Sequence, residues 1–454
     1  MSKDDMMTVL VVGGGPAGLM AAGIAAAQGA KVILLEKMPR LGRKLLLTGK
    51  GRCNLTNTAP MPEFIESFPG NGVFLYGPLA AFSNLDLIDF FAEQGLPTKV
   101  ERGRRVFPES DRSVDVLRAL ERFVKKVGVT VHTGQNVTGL IEDRIEDSLE
   151  NSIKDKVALQ TRRIIGVATS KGDYFGDAVI IATGGLSYPA TGSTGDGYQW
   201  ARELGHTVIP PRPGLVPLEV REEWIKEVQG LSLRNVRVTA RVGNVGSKEG
   251  QILGEEFGEM IFTHFGVSGP VVLSLSSPIA KFLVSKNQVN RPKSKPALEV
   301  KLSINLKPAL TLEQIDQRIQ RDLALYSRKQ FKNSLDQLLP KGLIPIIIRL
   351  SQIPEDKAVN QITREERMRL AILLTELPLT ITGTRPIEEA IVTAGGIAVK
   401  EIDPRTMASR LIKGLYFAGE IIDVDGYTGG FNLQAAFSTG YVAGRAAGEN
   451  NQPK

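Results

Sequence analysis

Cysteine and histidine are scarce in this sequence of 454 residues, which has one Cys and three His. A single cysteine cannot form an internal disulfide, and no cationic and apolar leader precedes Thr8, so we expect a reducing, cytoplasmic environment. His132, His206 and His264 lie far apart and lack a metal-ligand spacing. We therefore expect no metal site.

Long apolar runs are also missing, which excludes a membrane-spanning helix, and no G-x-S-x-G elbow supports a serine hydrolase. The charge is tilted toward basic residues, with 56 Lys and Arg against 49 Asp and Glu, a net charge of +7 and a pI of about 9.3. This balance is compatible with a nucleic-acid partner, and equally with cationic clefts that bind phosphates.

The amino-terminal segment has the order of a βαβ unit. A buried strand from Thr8 is followed by glycines at G-x-G-x-x-G spacing, an Ala-rich helix, and a second strand that ends in Glu36. These glycines permit a tight turn, a close approach to a pyrophosphate and close helix packing, and the helix N-terminus attracts the anion. Glu36 can accept the ribose hydroxyls. The unit predicts an FAD or NAD site.

Two further segments have the same character. A buried strand over 179–181 ends in Ala182-Thr183-Gly184, and a strand over 415–418 leads through a glycine-rich turn into an Ala-rich helix near Asn432. A helix N-terminus directed at a flavin would stabilise the charge of the reduced ring. We expect Asn432, Leu433 and Gln434 to supply the donors there.

Five blocks together resemble the bacterial flavoproteins of the BaiN/RdsA type, also described as aminoacetone-oxidase-like FAD enzymes. They are VVGGGPAGLMAA, EKMPRLGRKLLLTGKGRCNLTN, ATGGLSYPATGSTGDGYQWARELGH, FTHFGVSGP and GLYFAGEIIDVDGYTGGFNLQAAFSTG. The resemblance covers nearly the whole chain. It implies noncovalently bound FAD in an α/β fold, a glutathione-reductase-like Rossmann domain split by an inserted domain.

The segment pattern agrees with an insertion. We predict the first part of the FAD domain over 1–197, a β-rich insert over 198–310, a helical insert over 311–384, and the second part of the FAD domain over 385–454. Capping boxes at Thr311 with Gln314 and at Thr363 with Glu366 mark two amphipathic helices. Two polar stretches, 142–156 and the cationic 286–296, are predicted to be solvated loops.

The predicted cofactor-binding residues come from these motifs and from the resemblance, which implies that Arg43 and Lys44 neutralise the phosphates and that residues 48–54 lie against the flavin. They are Gly13, Gly15, Pro16, Ala17, Gly18, Glu36, Lys37, Arg43, Lys44, Thr48, Gly49, Asn54, Leu55, Val137, Ala182, Thr183, Gly184, Gly419, Glu420, Asp423, Gly430, Asn432 and Leu433.

Two residues are candidates for moving a proton. Cys53 has two charged residues near it in sequence, Lys50 and Arg52, which would lower the pKa of its thiol and make it an acid for catalysis; alternatively it only packs against the cofactor. His264 is the second candidate, with a structural role in its turn as the alternative.

The sequence predicts an FAD-dependent oxidoreductase whose reduced flavin delivers hydride to an unsaturated substrate. The resemblance implies three substrate classes: a uridine of large-subunit rRNA reduced to dihydrouridine, aminoacetone, and steroid-like bile acid intermediates. The basic charge favours RNA, although no named RNA-binding module is visible. A flavin-holding ribosome-assembly factor without turnover is the alternative from another class. NAD(P)H is a possible transient donor, and the oligomeric state is not readable.

Overall fold

The chain divides into two compact units. A computed structural model describes residues 6–144, 162–244, 250–288 and 298–449, so the polar stretches 142–156 and 286–296 lie largely outside the described residues. Unit 1 comprises Met1–Arg212 with Ile387–Lys454, and unit 2 comprises Pro213–Pro386. Unit 2 is thus an insertion in unit 1, beginning at residue 213 where we predicted 198.

Unit 1 is built on a five-stranded parallel sheet in the order β19-β10-β1-β2-β6. Its strands are short apolar runs, and four of the five positions of β1 and all four of β10 are buried, as expected for a sheet covered on both faces. The strands are β1 (Thr8–Val12), β2 (Lys31–Glu36), β6 (Thr130–Thr133), β10 (Ala178–Ile181) and β19 (Leu415–Phe417).

Smaller strands surround this sheet in three groups: β3 (Thr56–Asn57) with β4 (Thr98–Glu101) and β5 (Arg105–Pro108); β7 (Val137–Arg144) with β8 (Arg162–Thr169) and β9 (Tyr174–Phe175); and β11 (Val208–Gly214) with β18 (Val392–Ile397). The helices of unit 1 are α1 (Pro16–Ala27), α2 (Arg43–Leu47), α3 (Met61–Glu66), α4 (Tyr76–Ala81), α5 (Asn84–Glu93), α6 (Ser113–Lys126), α7 (Asp196–Glu203) and α12 (Phe431–Gly448). Because α7 packs into the core of unit 1 through Tyr198 and Trp200, the insertion begins after it.

Unit 2 contains a closed six-stranded barrel in the order β12-β15-β14-β13-β16-β17. Its strands are β12 (Leu218–Val220), β13 (Ser232–Asn244), β14 (Gln251–Phe262), β15 (Gly266–Ser268), β16 (Leu298–Asn305) and β17 (Leu377–Thr384), and its helices are α8 (Pro270–Gln288), α9 (Leu312–Ala324), α10 (Ile344–Ser351) and α11 (Arg364–Thr375).

The predicted β-rich and helical inserts therefore form one unit. β17 follows the helices in the chain, yet it pairs with β12 and β16 and closes the barrel. Both predicted capping boxes are confirmed: the Gln314 amide donates to Thr311 Oγ1 at 3.2 Å, and Thr363 N–H donates to Glu366 Oε2 at 2.8 Å.

Candidate functional site

The first glycine turn connects β1 to α1 at the carboxyl edge of the parallel sheet. Gly13 has φ +107°, and its N–H donates to Leu35 O at 2.9 Å. A Cβ at Gly18 would lie only 1.8 Å from Gly13 O, whereas a Cβ at Gly15 would meet no heavy atom within 4 Å. The turn is tightly packed at Gly18 and open at Gly15. Gly15 is the N-cap of α1, and this helix has no side-chain cap. Open helix amides favour a bound anion.

Glu36 ends β2 next to this turn. Its two carboxylate oxygens accept the N–H groups of Gly14 and Met38, each at 2.7 Å. Each oxygen retains a second lone pair, so the carboxylate can still accept hydroxyl groups. Gln135 N–H donates to the main-chain carbonyl of Glu36 at 2.9 Å, two residues before Val137, which is buried. Lys37, by contrast, forms an ion pair with Asp196 at 2.7 Å.

The second glycine turn precedes α12, whose N-cap is Gly430 with φ +99°. Helices α1 and α12 run side by side in the same direction, since a Cβ at Gly440 would lie 2.4 Å from Ala17 O and one at Gly444 would lie 2.3 Å from Ala21 O. Small residues on one face permit this close approach, and Gly419, with φ +79°, also lies against Ala17.

This pairing sets the relative position of the two helix N-termini. Gly440 is level with Ala17, so α12 begins eight residues ahead of the level at which α1 begins. At a rise of 1.5 Å per residue, the first turn of α12 projects about 12 Å beyond the start of α1. Unit 1 thus presents two uncapped helix ends, one at the sheet edge and one further out.

The polar side chains of the first turn of α12 are engaged within the protein. Asn432 closes the preceding turn: its Oδ1 accepts Gly426 N–H and its Nδ2 donates to Gly426 O, both at 2.8 Å. Gln434 is fully buried and donates to Ser438 Oγ at 3.0 Å. Leu433 packs on the core of unit 1. Because these side chains are engaged, the donors predicted at Asn432, Leu433 and Gln434 would be the backbone amides of this turn, and their contact with a flavin stays a prediction.

Lys44 and Glu420, both predicted to bind cofactor, form an ion pair at 2.6 Å across 376 residues of sequence. Glu420 also accepts Ser187 Oγ at 3.0 Å and Thr393 N–H at 2.7 Å. The charge of Lys44 is therefore compensated within the protein, and its contact with the cofactor phosphates stays a prediction. Arg43 is half-buried and has no ion pair within the described residues.

Residues 48–57 form a strained loop that reaches the second glycine turn. Gly49, Lys50, Gly51 and Cys53 all have φ between +56° and +84°. Non-glycine residues adopt such angles at a cost, and they concentrate at functional sites. Further along, Asn57 Nδ2 donates to Gly429 O at 3.2 Å. The loop and the turn before α12, far apart in the sequence, are neighbours.

Cys53 is fully buried in the core of unit 1, as is Leu55. Burial raises the pKa of the Cys53 thiol to about 12, outweighing a hydrogen bond with Thr48 that lowers it. Arg52 does not act on the thiol as expected, because its guanidinium stacks on Phe107 at 4.2 Å and pairs with Glu101 and Asp111. The expectation of a lowered thiol pKa is wrong.

His264 belongs to unit 2 and is exposed in the turn between β14 and β15, where its ring contacts that of Phe265 at 4.9 Å. Cys53 belongs to unit 1. The two candidates for proton transfer therefore belong to different units and share no element of secondary structure.

Comparison with known proteins finds one family over nearly the whole chain. The family profile described as the HI0933-like protein Rossmann domain matches residues 7–446. The chain belongs to the HI0933-like family. It is 34% identical over 448 residues to the 3-dehydro-bile acid delta(4,6)-reductase of Clostridium scindens, covering 98% of this chain and 100% of that protein.

Two other comparisons agree in coverage. The ribosomal RNA dihydrouridine synthase of Escherichia coli is 30% identical over 438 residues, covering 95% of this chain and 96% of that protein. The crystal structure of 3-ketosteroid delta1-dehydrogenase from Sterolibacterium denitrificans has a TM-score of 0.50 at 13% identity, covering 98% of this chain and 100% of that one. That likeness shows the fold alone.

The HI0933-like family places this chain among the FAD-dependent oxidoreductases, as the reductase relative supports. The site residues fit such a cofactor. Three buried polar atoms, Asn54 Oδ1 and Thr56 Oγ1 in the loop over 48–57 and Thr183 Oγ1 after β10, have no hydrogen-bond partner in the described part of the chain. An unsatisfied buried polar atom costs about 1–3 kcal/mol, and a flavin carries both donors and acceptors.

Some elements of this HI0933-like site escaped sequence reasoning. Met38 and Gln135 hold Glu36, while Ser187 and Thr393 hold Glu420. Met38 and Ser187 lie within quoted family blocks and could have been found there, whereas Gln135 and Thr393 lie outside those blocks. Asp423 lies where its carbonyl and carboxylate accept Asn71 Nδ2 at 2.7 and 2.9 Å.

Two other kinds of site have no candidate in the described part of the chain. Among residues 6–144, 162–244, 250–288 and 298–449, no group of His, Cys, Asp and Glu could hold a metal ion. In the same ranges, no helix combines the length and the apolar composition needed to cross a bilayer.

Proposed function

We propose that this chain reduces a carbon–carbon double bond conjugated to a carbonyl, and that its substrate is a uridine of large-subunit rRNA. Two relatives are named for reductions of this kind, one on a bile acid and one giving dihydrouridine in ribosomal RNA. The C5–C6 bond of uracil is conjugated to the C4 carbonyl, as a delta-4 double bond is conjugated to a 3-oxo group. One chemistry therefore covers both relatives.

FAD, held noncovalently, would supply hydride when reduced. We propose that the pyrophosphate lies at the start of α1 beside Gly15 and that Glu36 accepts the ribose hydroxyls. The flavin end would then extend toward the first turn of α12, because that helix begins about 12 Å further out. NAD(P)H is proposed as the transient donor that restores reduced FAD.

The observation that carries the choice of RNA is the distribution of charge. Unit 1 contains 31 Lys and Arg against 31 Asp and Glu, whereas unit 2 contains 25 against 18. The entire net charge of +7 therefore belongs to the inserted unit. A neutral steroid gains little from such an excess, while a polyanion such as RNA binds it strongly.

Part of this excess lies in the segment from the end of α9 to residue 332. Arg321, Arg328, Lys329 and Lys332 are exposed there. Lys329 Nζ lies 4.4 Å from the centre of the Tyr326 ring. Cationic side chains beside an aromatic ring suit a nucleic acid, since they contact phosphates and the ring offers a stacking surface.

The reduction also needs an acid, because hydride addition at C6 leaves negative charge to be neutralised by a proton at C5. A Cys53 thiol with a raised pKa keeps its proton at neutral pH, so it is present in the donor form. It is, however, a weak acid. We retain Cys53 and His264 as proposed acids. An rRNA substrate would place this reaction in the cytoplasm.

A small-molecule enone reductase is the second candidate, favoured by the 34% identity with the bile acid enzyme over 98% of the chain. An amine oxidase acting on aminoacetone and a flavin-holding assembly factor without turnover remain further alternatives from the sequence. The assembly factor would hold FAD but show no flavin reoxidation by substrate.

The test is the dihydrouridine content of large-subunit rRNA, measured by mass spectrometry in cells with and without the gene. We expect one uridine to be heavier by two hydrogens only when the gene is present. Purified protein with reduced FAD should then convert that uridine in unmodified rRNA. Unchanged dihydrouridine on deletion would reject RNA and leave the enone reductase, which a panel of conjugated ketones would test.

A further inference from the structure

Arg212 is a largely buried cation whose hydrogen-bond donors are not all used within the described residues. Its side chain is 19% exposed, and its Nε is buried without a hydrogen-bond partner in the described residues. Its nearest carboxylate is Asp425, 7% exposed, with Nη2 4.0 Å from Oδ1. That distance allows charge attraction but exceeds a hydrogen bond, so the guanidinium is held in place with its donors still available.

The backbone segments that position Arg212 lie very close together. Arg212 lies on β11, which pairs with β18. A Cβ at Gly395 of β18 would lie 2.6 Å from Pro210 O, and one at Gly396 would lie 2.5 Å from Ile421 O. Only glycine permits such contacts on both sides, so β18 is a thin spacer between β11 and the segment that leads to Asp425.

Asp425 in turn belongs to the turn that precedes α12. The next residue, Gly426, is clamped by Asn432 of the first turn of that helix through two hydrogen bonds of 2.8 Å. Arg212 is therefore beside the outer helix N-terminus, about 12 Å beyond the start of α1, which is the flavin end of the proposed site.

We propose that Arg212 is a catalytic residue that binds the carbonyl oxygen of the substrate and stabilises the negative charge that forms there. This inference rests on the proposed function. A buried guanidinium with unused donors is unfavourable in free energy until an acceptor binds to it. An oxyanion is the acceptor that it binds best. The uncharged N–H groups of the first turn of α12 would assist it.

The reaction balances with this assignment. Reduced FAD, when bound, would supply the hydride that bonds to the carbon β to the carbonyl, and FAD would be left oxidised. The π electrons of the double bond move toward the carbonyl oxygen, where Arg212 holds the enolate. A proton from an acid then bonds to the α carbon, the carbonyl re-forms, and Arg212 is unchanged.

The test uses para-chlorophenol as the probe, because its phenolate resembles an enolate and gives a long-wavelength absorption band when stacked on oxidised flavin. Purified FAD-bound protein is titrated with it across pH. We expect Arg212→Gln to weaken phenolate binding about tenfold or more and to raise the pH at which the bound phenol ionises. Arg212→Lys should retain part of the effect.

Arg405→Gln serves as the matched control, because Arg405 is also in unit 1 but its side chain is 82% exposed. It should leave both readouts unchanged. A merely structural role for Arg212 would lower FAD content or thermal stability and would not move the ionisation of a bound phenol. Equal phenolate binding by wild type and Arg212→Gln, absence of binding by wild type, or loss of FAD in both Arg212 variants would overturn the proposal.

The two proposals fail separately. If gene deletion leaves dihydrouridine unchanged but Arg212→Gln still loses the phenolate, the oxyanion role stands and the substrate changes to a small conjugated ketone. If deletion removes dihydrouridine but the phenolate binds both proteins equally, the RNA function stands and Arg212 is not the oxyanion partner.

Discussion

The two units differ in net charge and in how their charged side chains are arranged. Unit 1 has equal numbers of acidic and basic residues and pairs distant ones internally, as Lys44 does with Glu420 and Lys37 with Asp196. Unit 2 contains the whole positive excess and leaves a cluster of it exposed between α9 and residue 332. A dinucleotide site needs defined local contacts, whereas a polyanion is attracted by an overall excess of charge. Under the proposed function, unit 1 would hold the cofactor and unit 2 would attract the substrate.

The largest expected effect tests how closed unit 1 is around Cys53. Because burial raises the pKa of this thiol to about 12, its thiolate fraction at pH 8 is about a thousandfold below that of an ordinary thiol. Iodoacetamide labelling of native protein, followed by mass spectrometry, should be slower by at least about that factor than after denaturation. Rapid native labelling at pH 8 would show that the loop opens or that neighbouring cations do activate the thiol.

The next effect concerns packing under the first glycine turn. Gly18→Ala should destabilise unit 1 by about 3 kcal/mol, because its Cβ would collide with the backbone at Gly13. Gly15→Ala is the matched control, since its Cβ meets open space and should affect FAD retention more than folding.

Each unit contains one tryptophan, Trp200 in unit 1 and Trp224 in unit 2, so each can be followed by fluorescence once the other is changed to Phe. Denaturant unfolding of FAD-free protein should show the Gly18→Ala loss with Trp200. A loss of equal size for Gly15→Ala would contradict the packing argument.

Loss of the ribose acceptor should weaken FAD retention by about 1–3 kcal/mol in Glu36→Ala. Flavin content after gel filtration measures it, with Glu203→Ala, an exposed helix residue, as the control. Normal occupancy in folded Glu36→Ala protein would remove Glu36 from the ribose.

Charge reversal in unit 2 tests whether the exposed cations of that unit bind RNA. Arg328→Glu with Lys332→Glu should weaken binding of an rRNA fragment about tenfold and reduce the slope of log affinity against log salt by about 1–2. The matched pair in unit 1, Lys125→Glu with Lys126→Glu on exposed positions of α6, alters net charge equally. Equal weakening by both pairs would mean that only total charge matters and that unit 2 has no special part.

The smallest expected effect is a pH dependence confined to unit 1. Burial lowers the pKa of His206 from its usual 6.5, and its Nε2 lies 2.8 Å from Ser409 Oγ. The unfolded chain therefore binds the proton first, so the stability of unit 1 is complete above pH 6.5 and declines as pH falls. His206→Asn should flatten this decline, measured with Trp200, whereas His264→Asn in unit 2 should not. An unchanged decline in His206→Asn would assign it to other groups.

Local patterns in the sequence were sufficient for much of unit 1. The strand, glycine turn and helix around Gly13 and the strand that ends at Glu36 are encoded by neighbouring residues, so periodicity and turn chemistry predict them. The same holds for the capping boxes at Thr311 and Thr363. Membership of a flavoprotein family followed because its blocks combine several such local patterns.

Only the tertiary structure decided how individual side chains are used. The charge of Lys44 is compensated by a partner 376 residues away, and β17 closes a barrel with strands that precede the helices in the chain. Asn432 has an amide suited to a ligand, yet a turn of its own chain occupies it.

Cys53 shows the physical reason most directly. Its charged neighbours in sequence predict a lowered pKa, but Arg52 is neutralised by Glu101 and Asp111, and burial raises the pKa instead. Desolvation and charge pairing depend on which groups surround an atom in space, and most of these come from distant parts of the chain. The sequence by itself determined the nucleotide-binding turns and the family; the tertiary structure determined which polar groups near them are already satisfied and which, like Arg212, remain available.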